Sequence, residues 1–122
     1  MNNAYLLVAM TIALTVYGQV VLKWQMGVLA PQGLPNRPAD LLAVLLTPWV
    51  ISAFFAAFLA SLCWMGALSR LPLSKAYPFM ALSFPSVAVL AVLLFHEELN
   101  TPKILGTSLI VLGAVILSRA PA

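Results

Sequence analysis

Residues 4–26 read "AYLLVAMTIALTVYGQVVLKWQM". At 1.5 Å per residue, this stretch makes a helix of about 34 Å, enough to cross a hydrocarbon core of about 30 Å. The rest of the chain agrees with a membrane reading. Of 122 residues, 63% are hydrophobic and 7% charged, against about 25% charged in soluble domains. The length suits one domain. The expected fold is all-α, a small bundle of four transmembrane helices.

Further apolar segments follow. Residues 27–40, "GVLAPQGLPNRPAD", carry three prolines and two glycines and read as an extramembrane loop. From Asp40 to Ser69 the chain is too long for one straight span, and Thr47-Pro48 divides it. Thr suits an N-cap and Pro the first helical turn, where its missing N–H would have no partner. A short surface helix is expected over Leu41–Leu46 and the second span over Pro48–Ser69, with Trp49 near the interface and Trp64 inside. "RLPLSKAYP" (70–78) is a turn with Ser74 as its cap. The third span covers about residues 75–95 and carries Pro78 and Pro85, which remove helical hydrogen bonds that neighbours must re-satisfy. "HEELNTPK" (96–103) is the last loop, and the fourth span covers about 102–118.

The net charge of +3 is scattered and forms no basic block for nucleic acid. It fits membrane topology and contact with anionic lipid headgroups. The N-terminal segment runs apolar too long for a signal-peptide core and is expected to be a retained helix. Loop charge barely orients the chain, favouring both termini inside once Lys23 is set aside as membrane-embedded. Cys63 is the lone cysteine.

Within the first span, Thr11, Thr15, Gln19 and Lys23 recur every four residues, sharing one helix face that drifts about 40° per step. Polar groups at membrane depth normally face a bundle interior or a wet cavity. Lys23 alone could instead snorkel to the headgroups. Tyr77 and Ser83 lie beside the two prolines and could line a pathway, or the segment could be a hinge alone. Glu97 at the end of the third span could take a proton, pair with Lys23, or simply mark the loop. For His96 and Glu98 the loop reading is the default. A lone His beside two acids is no metal cage, and no nucleophile–base arrangement or phosphate loop is present. No cofactor and no enzymatic activity are expected. Gly106, Gly113 and Ala114 give the fourth span a small-residue face for close helix approach, either within the bundle or between subunits.

"GQVVLKW" (18–24), "RLPLSKAYPFMALSF" (70–84), "FHEELNTPKILG" (95–106) and "LGAVILSR" (112–119) resemble the drug/metabolite transporter superfamily. Among its short four-span members they are similar to the EamA-like subunits that flip aminoarabinose-phosphoundecaprenol across the bacterial inner membrane. The motifs matched are Gly18-Gln19 with Lys23, Ala76-Tyr77-Pro78, and His96-Glu97. This resemblance implies a multi-pass inner-membrane protein that moves a lipid-linked anionic sugar. It also implies roles for Gln19, Lys23, Tyr77 and Glu97, and with Thr15 from the polar stripe and Ser83 from beside the prolines these make up the expected substrate site.

The small multidrug exporters are similar in size but carry a membrane-embedded glutamate eight residues before the lysine. That position here is Thr15, and no acidic residue lies within any of the four spans. An exporter of small solutes remains the alternative, as does a non-transporting accessory subunit of a membrane glycosyltransferase. Four helices offer a groove more readily than a closed cavity. A dimer is therefore expected, either a homodimer, possible in antiparallel form, or a heterodimer with a paralogue, meeting at Gly106, Gly113 and Ala114.

Overall fold

The computed structural model describes residues 2–120, and these hold helices and no strand. The helices are α1 (Asn2–Leu29), α2 (Pro38–Leu45), α3 (Pro48–Leu68), α4 (Leu73–Met80), α5 (Ser83–Phe95) and α6 (Thr101–Ser118). Four segments are long and apolar enough to cross a membrane: α1, α3, α4 with α5, and α6. The protein is a multi-pass membrane protein with a short helix before its second span.

The helix ends differ in detail from the sequence reading. α1 continues past Met26 to Leu29, because the helix breakers come only afterwards, at Pro31 and Gly33. α2 starts at Pro38 rather than Leu41, with proline at its first position supplying the φ a first turn needs. Thr47 holds the N-cap position of α3, but its hydroxyl makes no cap bond and donates back to the Ala43 carbonyl at 3.4 Å. Ser74 lies inside α4, whose N-cap is Pro72. At α6 the cap is Asn100, whose side chain accepts from the Lys103 amide at 3.0 Å. His96 closes α5 in the left-handed conformation, which ends a helix by turning its last carbonyls toward new partners.

α1 and α3 pack antiparallel along their length, and small residues allow it. α3 buries Val50, Ala53, Ala56, Ala60 and Ala67, and α1 buries Ala4, Val8, Thr11, Val16 and Val21. A Cβ on Gly18 would sit 3.3 Å from the Ala53 carbonyl oxygen, and one on Gly66 would meet Leu7 at 2.9 Å. Both glycines lie where the helices come closest, the usual way membrane helices gain packing. Polar pins cross the seam: Thr11, whose hydroxyl donates to Leu7 O of its own helix at 2.8 Å, also reaches Ala60 O of α3 at 3.4 Å, and Tyr17 and Ser52 share a 3.0 Å bond. Trp24 and Trp49 meet edge to face at 5.2 Å at one end. At the other end Ala4, Val8, Ala67, Leu71 and Ala76 form a buried cluster, with Tyr5 on Phe79 at 5.6 Å.

The third span is broken at residues 81–82. Pro85 has no N–H, and its ring crowds the carbonyl four residues back, that of Ala81. The backbone tightens instead into three-residue bonds, Ala81 N to Pro78 O at 3.1 Å and Phe84 N to Ala81 O at 3.1 Å. The Ser83 and Ser86 hydroxyls cover the Met80 and Leu82 carbonyls at 2.7 and 2.9 Å. α5 then leans on α1, and α6 on α4 and α5.

Candidate functional site

The polar stripe of α1 turns as it climbs. A four-residue step advances a side chain about 40° around the axis, so three steps turn the stripe about 120°. Thr11 is accordingly only 3% exposed and faces α3, where its hydroxyl is spent on two carbonyls. Lys23, at the other end, is exposed and lies beside α5. Thr15 and Gln19, between them, border clefts on both sides of α1.

On the α5–α6 side, a cleft of about 460 Å³ brings together Thr15, Gln19, Ser83 and Glu97, with Glu98 and Lys103 on its far wall. A smaller one of about 210 Å³ adjoins it and joins Lys23 to Gln19 and Glu97. On the α3–α4 side, about 440 Å³ lies between Thr15, Gln19, Ser61, Trp64 and Tyr77. Tyr77 leans on Trp64 at 6.3 Å between ring centroids. Gln19 lines all three spaces. The structure therefore places Thr15, Gln19, Ser83 and Glu97 on one cleft. It sets Lys23 beside that cleft and Tyr77 behind it, across Gln19.

Chemically this is a groove with charges of both signs set in an apolar bundle. Lys23 and Lys103 offer ammonium donors, Glu97 and Glu98 carboxylate acceptors, and Gln19 an amide that does both. Ser83 is partly committed, since its hydroxyl already donates to Met80 O. Such a set can hold a polar head carrying charges of both signs. Among the described residues, no three His, Cys, Asp or Glu side chains gather as metal ligands would.

Three side chains of interest escape the sequence pattern. Lys103 and Glu98 read as loop charges, yet the turn after α5 folds them over the cleft. The Lys103 ammonium donates to the Glu98 carbonyl oxygen at 2.8 Å. Gln25 lies off the four-residue stripe and is 4% exposed, a buried amide on the turn beyond Val21. Gly106 and Gly113 face open space, while Ala114 of the same helix is buried within the chain.

The EamA-like transporter family matches residues 2–119. The chain belongs to that family. Its EamA-like relatives include a protein named probable 4-amino-4-deoxy-L-arabinose-phosphoundecaprenol flippase subunit ArnE, from Aeromonas hydrophila. That protein is 35% identical over 81% of this chain and 78% of its own length. The subunit named ArnF from the same organism is 38% identical over 98% of this chain and 82% of its own. The ArnF of Sodalis glossinidius is 36% identical over 92% and 87%. No solved structure matches this EamA-like chain at a significant level. The relatives carry names of flippase subunits.

Proposed function

We propose that this protein is a subunit of a flippase that moves an undecaprenyl-phosphate-linked aminosugar, or a similar anionic lipid carrier, across the bacterial inner membrane. One observation carries the reading: Thr15, Gln19, Ser83 and Glu97 share a cleft at whose edge Lys23 stands. The relatives' names supply the substrate class, and its chemistry suits the cleft. An aminosugar phosphate carries an amine and an anion. Glu97 accepts from the amine, while Lys23, a compact point charge, and the Gln19 amide hold the phosphate. Tyr77 receives the head on the far side of Gln19. Most of the lipid tail stays in the bilayer, so no sealed channel is required. The working unit is a dimer, either of two copies of this chain or of this chain with a paralogue.

The test is translocation of a polyprenyl-phosphate aminosugar in vesicles by purified protein. Lys23→Gln should lower binding and transport by about tenfold or more, since a hydrogen bond to a charged group is worth about 1.5–3 kcal/mol. Lys23→Arg should be tolerated in part, its planar fork replacing a point charge. Thr11→Ala should cost far less, because that hydroxyl faces α3. Wild-type transport by Lys23→Gln would reduce Lys23 to a headgroup anchor.

A further inference from the structure

Beside the polar cleft, α5 and α6 diverge around a second, apolar space of about 670 Å³, within the range of ligand pockets. Its walls are Pro85, Val89 and Leu93 on α5 and Ile104, Val111 and Val115 on α6. Leu93 is 65% exposed, so the groove opens sideways to the bilayer. The two spaces adjoin: Ala88, Val92, Leu99, Lys103 and Thr107 line both. Among these shared residues Lys103 carries the charge. Its ammonium has three donors, one of which is held by the Glu98 carbonyl. That bond fixes it at the junction and leaves two donors free.

A cleft with polar and charged walls beside an apolar groove, with a cation at the join, matches a molecule with a polar head, a phosphate and a hydrocarbon tail in that order. We propose that the α5–α6 groove seats the first part of the tail of a lipid-linked substrate, and that Lys103 contacts the phosphate where tail meets head. This rests on the flippase reading and extends it, adding a second phosphate contact opposite Lys23. Lipid tails are as apolar as the groove walls, so burial in it gains little over the bilayer. Selection therefore comes from the shape of the groove and from the charge at its mouth.

The experiment uses the full chain in nanodiscs, with a labelled long-chain polyprenyl phosphate and dimethylallyl phosphate as probes. Lys103→Gln keeps a donor for the Glu98 carbonyl but loses the charge, and should weaken both probes about tenfold. Ser108→Phe fills the groove from α6 without touching the polar cleft. It should weaken the long-chain probe several-fold and leave dimethylallyl phosphate unchanged, which also shows that the variant is folded. Unchanged long-chain binding in either variant, with wild type binding normally, overturns the groove and leaves the flippase reading standing. Loss of dimers on Ser108→Phe with long-chain binding intact makes the groove a subunit contact and also overturns it. A wild-type protein that binds neither probe removes the flippase reading, and the groove falls with it.

Discussion

Gly18 and its neighbour Gln19 divide the labour of α1 between them, one turned to α3 and the other to the clefts. Their roles predict opposite behaviour. Gly18→Ala places a Cβ 3.3 Å from the Ala53 carbonyl oxygen, a contact the backbones relieve by parting slightly. Gly18→Leu cannot be relieved that way. It should cost about 1–3 kcal/mol of helix–helix stability, as overpacking does, read as a lower midpoint in denaturant titration of the detergent-solubilised protein. A Leu variant as stable as wild type would mean the α1–α3 seam is looser than it looks. Thr15 supports a second expectation. It stands half-buried at the cleft wall, where the small multidrug exporters, which the sequence resembles in size, carry a glutamate. With no acid inside any span, binding of quaternary ammonium dyes should release no protons. A stoichiometric release would favour the exporter alternative. Thr15 and Gln19 were legible in sequence because polar residues at helical spacing stand out in an apolar run. Lys103 was not, because its place over the cleft depends on how the loop after α5 folds, and no local pattern encodes that.

Among the elements, the third span is the one whose shape the cleft depends on. The Thr47-Pro48 pair marked the start of α3, which begins at Pro48 with Thr47 at its N-cap, since proline's fixed φ suits a first turn. Ser74 misled, because Pro72 stops the chain first and leaves the serine one residue inside the helix. Pro78 and Pro85 signalled a distortion, and its form is a true break into α4 and α5 held by serine hydroxyls. That break sets Ser83 facing Thr15 and Gln19. Pro85→Ala restores an N–H for the Ala81 carbonyl and removes the ring clash. Hydrogen exchange at residues 84–86 should slow as α4 and α5 join, and transport should fall as Ser83 leaves the cleft. Unchanged exchange would show that Pro78 and the loop, rather than Pro85, impose the break.

At the scale of the molecule, the chain exposes 8280 Å², whereas a compact soluble protein of its mass exposes roughly 6,400 Å². Much of the excess is apolar, for instance Phe55 and Phe58 at 60% each, which suits lipid. α6 is thinly covered by the rest of the chain, with Ala114 as its buried residue. Its Gly106 and Gly113 lie seven residues apart, two turns along one face, and have nothing within reach of an added Cβ. Ala114, by contrast, is occupied inside the chain, so of the three small residues expected at a dimer contact the two glycines are the ones still available. Bare glycine on an outward helix face lets a second backbone come close. Replacing both with Leu fills that surface while leaving every intrachain contact in place. The double variant should therefore stay folded and lose its dimers in cross-linking and light scattering. Labelling of single cysteines placed in the 96–100 loop from either side of the membrane then tells the pairing. Labelling from both sides fits an antiparallel pair, in which balanced loop charge lets one sequence insert both ways. Labelling from one side fits a parallel pair or a paralogue partner. Dimers that survive the double substitution would take this face of α6 out of the interface.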